Sequence, residues 1–278
     1  MRRIIYLLVC YTGLALATPA FSQDLIIGTF NVRLDKDTDL GNLWIDREPV
    51  IANLIRFHDF DIFGTQEGMR HQLDELNASL PEYNWYGVDR GDFGGHSAIF
   101  FKKEKYKLIK GGDFWLSETP EKPSIGWDAC SNRLLSWVQL EDIRTGRTLF
   151  FFNTHFDSKG EMARRESSKM ALKQIEEIAG NNPVIFTGDF NSSMKSEPYL
   201  IIKRSGVLRD SYLLAKHPYV NNGSTNGFGK SIGRGIIDHI FISGHFNVHK
   251  WGVLTDTYHG KYPSDHFPLL VTLSFAQE

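Results

Sequence analysis

The chain has 278 residues, 31 basic and 33 acidic, with a formal net charge of −2 and 41% hydrophobic residues. That length supports one large α/β or β domain or two small ones, and the near-neutral charge, without any long basic run, argues against a protein that grips a long polyanion non-specifically. The 2 cysteines exclude a disulfide framework and a cysteine-rich zinc site.

The first residues read as a leader. Arg2 and Arg3 precede an apolar run, Ile4 to Ala17, and the small residues Ala20 and Ser22 follow it. This predicts an export signal, 1–22, cleaved after Ser22, with 23–278 as one domain in a periplasmic or secreted protein. The run is shorter than the roughly 20 residues of a membrane span. Loss of Arg2 and Arg3 takes the net charge to about −4. Cys10 leaves with the leader, so Cys130 has no internal partner and is expected as a small packing residue.

From there the predicted elements alternate. "DLIIGTFNV" (24–32) reads as a strand, 43–58 as a helix through Trp44, Val50, Ile51, Leu54 and Ile55, and 61–66 as a short buried strand. A helix over 70–80 stops before Pro81. Strands follow at 94–103, 133–142 and 147–156, then the longest helix, 161–179, ending at Gly180. "PVIFTGDF" is a strand, a short helix lies near "SEPYLIIKRS", and 235–243, 246–254 and 267–275 are strands. The strands are near-continuously apolar and need cover on both faces, which two packed sheets with outer helices provide. No repeat, low-complexity stretch or linker divides the chain.

The ends of those strands carry the chemistry. They finish on Asn31, on Glu67, on Asn153, His155 and Asp157, and on Asp189 and Asn191, while "IIDHIF" contains Asp238, and Asp265 with His266 comes just before the last strand. Residues two apart on a strand share a face, so Asn153 with His155, and Asp189 with Asn191, can point one way. Any one of these is an ordinary turn former or surface histidine. As a set, hard oxygen ligands without cysteine suggest Mg2+ or Mn2+, and the histidines suggest groups that polarise a phosphate or move protons.

The segments "TFN", "QE", "NTH", "GDFN", "IDHIF" and "SDH", in that order from Asn31 to His266, resemble the endonuclease/exonuclease/phosphatase superfamily, in particular its deoxyribonuclease-like and deadenylase/nocturnin groups. "FWLSETPEKP" and "GWDACSNR" resemble exported bacterial members. The resemblance implies a four-layer α/β/β/α sandwich of two mixed sheets and a Mg2+- or Mn2+-dependent hydrolase of phosphodiesters or phosphomonoesters. It implies in-line attack by an activated water. Carried over by position, Glu67 binds the metal with Asn31 beside it, and Asp265 completes the metal or water shell. Asp189 orients or deprotonates the water, helped by Asn191. His155 contacts the phosphate oxygens, as does His266, which Asp238 holds. Arg133 and Trp127 are expected to clamp a phosphate and stack a ring, with Arg164, Asn153 and His96 as further substrate contacts. The family's usual glutamate before the "IFY"-like strand, which braces the motif histidine, is missing from "GGHSAIFF". The expected partner is a phosphorylated substrate (nucleic acid, nucleotide, lipid head group or sugar phosphate), and the chain is expected to be a monomer without a stable protein partner.

Other classes fare worse. "GKSIG" (229–233) matches the G-x-S-x-G of serine hydrolases, with Ser231 and His266, but that elbow needs an apolar strand before it and a helix after it. A calcineurin-like metallophosphatase lacks its Asp-x-His and Gly-Asn-His segments here. A non-catalytic binding protein on the same fold leaves the intact motifs unexplained.

Overall fold

The computed structural model describes residues 24–91, 95–231, 233 and 235–276; the expected leader lies outside them. In chain order the elements are β1 (Leu25–Asn31), α1 (Trp44–Phe57), β2 (Ile62–Gln66), α2 (Arg70–Ser79), β3 (Tyr83–Tyr86), β4 (Ile99–Lys102), β5 (Tyr106–Trp115), β6 (Leu134–Asp142), β7 (Thr148–His155), α3 (Glu161–Ala179), β8 (Val184–Asp189), α4 (Glu197–Arg204), β9 (Arg209–Asp210), α5 (Ser211–Leu214), β10 (Asp238–Ile242), β11 (Phe246–Val253) and β12 (Leu269–Phe275).

They build two six-stranded mixed sheets, β11-β12-β1-β2-β4-β3 and β5-β6-β7-β8-β10-β9. Each sheet holds one parallel pair joined through a helix, β1 to β2 through α1 and β7 to β8 through α3. A parallel pair requires such a crossover. Alternation along the strands then sorts the side chains into layers. Ile27, Ile62, Val138, Phe151, Ile185, Ile240 and Val271 face the space between the sheets. Phe30 and Phe63 face outward under α1 and α2, against Ile51, Ile55, Leu73 and Leu76. Phe152 and Phe186 face outward under α3 and α4, against Leu172, Ile175 and Ile202. The result is the expected α/β/β/α sandwich, held chiefly by apolar burial at about 25 cal/mol per Å2.

One polar bolt crosses the inter-sheet layer. Asn153 on β7 is 0% exposed. Its Nδ2 donates to the carbonyls of Thr65 (2.8 Å) and Ala98 (2.9 Å), and its Oδ1 accepts from Gln66 Nε2 (2.8 Å) and Thr187 Oγ1 (3.1 Å). Gly64 on β2 makes room for it, since a Cβ there would lie 2.3 Å from Asn153 Oδ1. Asn153 is therefore a tie between the sheets, and the expectation that it contacts substrate is corrected: every polar atom of its amide is already engaged.

Five elements and one environment differ from expectation. β3, β5, β9 and α5 carry no strong sequence signal, and β5 holds Lys107, Lys110, Gly111 and Gly112. It is an edge strand, where lysines and glycines guard against pairing with a neighbour. The strand expected over 94–103 shortens to Ile99–Lys102. Cys130 is exposed instead of packed, with its thiol 3.3 Å from Asp157 Oδ2.

Candidate active site

Three neighbouring strands of one sheet end in a row. His155 at the end of β7 lies opposite Asp189 at the end of β8, and Asp189 lies opposite Asp238 at the start of β10. Facing them across the gap are the ends of β1 and β2, where Asn31 is in register with Gln66 and Glu67 follows. Asp265 and His266 arrive on the segment leading into β12. The structure thus brings together every residue assigned by sequence to metal, water and phosphate, from both sheets.

Asn31 joins the two sides. Its Nδ2 lies 3.3 Å from Glu67 Oε1 and 3.1 Å from Asp189 Oδ2, while its Oδ1 accepts from the Arg33 amide at 3.0 Å. Asn31 thus bridges the two carboxylates through its amide nitrogen, and its oxygen accepts one of the two hydrogen bonds it can take. Glu67 adopts a left-handed backbone at φ 67, a strained conformation for a residue with a Cβ. That turn swings its carboxylate toward the loop after β1, where Leu34 N donates to Oε2 at 3.1 Å. Gly95 packs directly against it, since a Cβ there would sit 2.3 Å from the Glu67 carbonyl oxygen.

Asp189 is 1% exposed. Its Oδ1 accepts from the Asn191 amide at 2.9 Å, and its Oδ2 lies 3.4 Å from His155 Nε2 and 3.8 Å from His266 Nε2. Burial and the neighbouring Asp238 hold its carboxyl well above the usual carboxylate range, against the pull of His266 and of Asn31. A carboxylate so raised is a better proton acceptor, as a general base requires. His266 Nδ1 is 3.0 Å from Asp238 Oδ2. Burial opposes its charge, but Asp238 and Asp189 outweigh that and push the imidazole up to about 10. His155 has the opposite fate. Burial, with Arg133, Arg90 and His266 nearby, keeps it neutral, its pKa well below the ordinary value.

Two acidic groups face this gap. Asp189, Asp238 and His266 have ligand atoms mutually within 4.8 Å. That trio already contains its own cation, the His266 imidazolium, and is better suited to moving protons. Glu67 and the half-buried Asp265 instead offer hard carboxylate oxygens, the donor set that Mg2+ or Mn2+ takes, and so fit a divalent ion.

Several residues that shape the site have no obvious sequence signal. Arg47 is 1% exposed and donates to the carbonyls of Val32 (2.7 Å), Pro263 (3.1 Å), Arg33 (3.2 Å) and Asn42 (2.8 Å). It therefore fastens the segment after β1 to the one before β12. Its one sequence clue is that it falls on the buried stripe of α1, between Trp44 and Ile51. Arg33 clamps Asp39 (2.8 Å) and reaches Asp265 (3.4 Å), and Ser264 Oγ donates to Asn31 O (2.6 Å). Arg90 lines the recess beside Glu67 together with Gly95, His96, Arg133 and His155.

The expected substrate contacts separate. His96 is 5% exposed, donates from Nδ1 to Gly68 O (3.1 Å) and lines that recess, as does Arg133, which is ion-paired to Asp157 at 3.2 Å. Trp127 lines a different recess along α3, with Glu166, Lys169, Met170 and Lys173, so its expected partnership with Arg133 is corrected. Its loop is carried there by Asp128, which accepts from Ala163 N (2.6 Å) and Met162 N (3.2 Å) and so caps α3. Arg164 points back to the Asp157 carbonyl at 2.9 Å, a structural contact in place of the expected substrate one. Ser231 lies exposed after a 3-10 turn at Gly227–Gly229, with no strand leading into it. That is no nucleophile elbow.

The arrangement of carboxylates and histidines across the ends of two packed sheets defines a class of phosphate-ester hydrolases, and the profile of the Endonuclease/Exonuclease/phosphatase family matches residues 28–266. The chain belongs to that family. Among solved structures, a member of this family from Bacteroides thetaiotaomicron is 42% identical, with a TM-score of 0.88 over 92% of this chain and 99% of that one. A mannosyl-6-phosphatase from the same organism is 43% identical, with a TM-score of 0.87 over 90% of this chain and 100% of that one. The catalytic domain of human nocturnin shares the fold at 22% identity, with a TM-score of 0.72 over 91% of this chain and 94% of that one.

Proposed function

We propose that the protein is an exported phosphomonoesterase, dependent on Mg2+ or Mn2+, that removes phosphate from phosphorylated saccharides. One observation carries the reading. Asp189, raised in basicity and aligned by Asn31 and Asn191, faces a cationic His266 and a neutral His155 across a gap edged by Glu67 and Asp265. Glu67 and Asp265 would hold the divalent ion, which when bound neutralises phosphate charge. Asp189 takes the proton of the attacking water. Asp238 keeps His266 charged and turned toward the phosphate, so that the negative oxygens meet a fixed cation. The recess beside Glu67 is small, with a free volume of about 10 Å3, room for one water-sized atom. The 43% identical mannosyl-6-phosphatase supports a sugar phosphate as the substrate.

A substrate panel tests this: p-nitrophenyl phosphate, bis-p-nitrophenyl phosphate, mannose 6-phosphate, glucose 6-phosphate, RNA and DNA, each with chelator, Mg2+ or Mn2+. Hydrolysis of the monoesters, abolished by chelator and restored by either metal, is the expected result. Preferential cleavage of the diester or of nucleic acid, or full activity in chelator, would overturn it. The exported form should begin at Gln23 when sequenced from the producing cell.

A further inference from the structure

At the end of the two sheets away from the candidate active site, the sandwich opens at its edge. β5 is 10 residues long and spans about 30 Å. Its last residue, Trp115, pairs with Leu134 beside Arg133, whereas its first, Tyr106, pairs with Asp142. In the other sheet Phe101 pairs with Ile62, at the start of the strand whose far end leads to Glu67. Between these ends of β4 and β5 lies a recess of about 750 Å3. Phe101, Tyr106, Leu108 and Ile143 line it together with Lys103 and Lys107, and no acidic side chain among the described residues borders it.

Three aliphatic side chains stand exposed at this pole: Leu108 (39%), Ile109 (44%) and Ile143 (55%). Regular alternation along β5 would turn one of the first two inward. A bulge prevents it. Leu108 pairs with Leu140 and Lys110 with Gln139, which leaves Ile109 as the extra residue. Ile143 follows β6, and its amide donates to Lys105 O at 2.9 Å, so the β6–β7 hairpin and the β4–β5 turn form one surface. The charge there is one-sided. Across 103–110 and 143–147 the exposed charged residues are Lys103, Lys107, Lys110, Arg144 and Arg147 against Glu104 alone. The chain as a whole carries a net charge of −2. Lys105 turns to Asp61 at 2.7 Å and adds nothing to the patch.

A second copy of the chain does not suit this surface, because a two-fold contact sets the same patch against itself, cations against cations. Strand pairing along β5 is interrupted by the bulge and opposed by the lysines. Protein interfaces are anchored by Trp, Tyr and Arg in packed pockets, with Leu under-represented. Here aliphatic tips protrude among cations, the composition of a surface that lies on anionic lipid. No helix among the described residues is long and apolar enough to cross a membrane, so such a contact is peripheral. We propose that this pole docks on an anionic phospholipid surface, with Ile109 and Ile143 inserted below the head groups, the lysines and arginines on the lipid phosphates, and the recess open to an acyl chain. The active site then faces away from the lipid by about the length of β5, roughly 30 Å, toward soluble substrate. The proposal does not rest on the phosphomonoesterase reading.

The test is sedimentation of the whole mature protein, without substrate, with vesicles of phosphatidylcholine alone or mixed equally with phosphatidylglycerol. The protein should bind the mixed vesicles only, and added salt should release it. Lys103→Gln with Lys107→Gln should lower partitioning about thirtyfold, roughly a factor of five for each lysine. Ile109→Ser with Ile143→Ser should lower it about tenfold, even at the lowest salt. Thermal melting of both double variants should match wild type, since every substituted side chain is exposed. Binding to neither vesicle, equal binding to both, or binding that neither pair of substitutions weakens overturns the proposal. So does a dimer in light scattering that Ile109→Ser with Ile143→Ser dissolves while lipid is ignored, a result that would assign the pole to a second copy. No arm uses hydrolysis, so a protein that binds lipid as expected but hydrolyses no monoester would overturn the functional reading alone.

Discussion

At the residue scale the site separates its roles by environment. Asp189 and Glu67 are both carboxylates beside Asn31, yet one is buried against Asp238 and the other lies half-buried at the edge of the gap. Asp189→Asn preserves shape but removes the base. Turnover on the best substrate should fall by about two to four orders of magnitude, and added metal should not restore it. Glu67→Gln should instead weaken metal binding, so that raised Mg2+ recovers part of its loss. Rates measured against Mg2+ concentration separate the two, and matching metal responses would show the roles to be misassigned. Gly95 offers a second check. Its φ of +79 and the 2.3 Å approach to the Glu67 carbonyl leave no space for a methyl group. Gly95→Ala should cost about 1–3 kcal/mol of stability and displace the strained Glu67, lowering Mn2+ affinity in calorimetry. Unchanged Mn2+ affinity would mean that Glu67 does not depend on this contact.

At the element scale, much was legible in the sequence. α3 runs over the expected 161–179, and β8 ends where "PVIFTGDF" ends. Both have unambiguous periodicity and clear stops. The motif residues were legible for the same reason: each stands at one end of an apolar run or just beside it. What escaped was whatever depends on a distant partner. β5 is a strand because β6 pairs with it along its length, whatever its lysines and glycines prefer alone. Asn153 and His155 share a face, as alternation requires, but only the depth of the inter-sheet layer makes one a bolt and the other a site residue. Trp127 follows its own loop to α3, a placement that spacing could not reveal. The loop after β7 yields a prediction of its own. Burial of Asp157 disfavours its charge, but the amides of Gly160 and Lys159, Arg133 and the Cys130 thiol outweigh that and lower it from 3.8 to about 2. Its stabilisation is therefore complete above the ordinary value and lost as pH falls from about 4 to about 2, a contribution on the order of 2 kcal/mol. Urea unfolding of wild type and Asp157→Asn should show a gap at pH 6 that narrows toward pH 2.5. A gap independent of pH would place the role of Asp157 in packing, not in charge.

At the scale of the whole molecule, the two sheets draw on the chain differently: β5 to β10 form one from a contiguous stretch, and the other does not come from one stretch. β1 to β4 lie in the same sheet as β11 and β12, and β1 pairs with β12 so that Leu25 stands opposite Leu273. The sheet that carries Glu67 is therefore closed by β1 and β12, the first and last strands of the described residues, lying side by side, while the sheet that carries Asp189 is contributed by β5 to β10. Connectivity and architecture are thus separable. A circular permutant that joins 276 to 24 through a short flexible linker, and opens at the exposed turn around Gly146 between β6 and β7, should fold with the same metal affinity and comparable turnover, because the new break crosses no site residue. A permutant opened instead between β8 and α4 would cut the chain a few residues beyond Asp189 and Asn191 and should lose activity even if it folds. Pairing of β1 with β12 would in that way let the same two sheets assemble in a different order of synthesis.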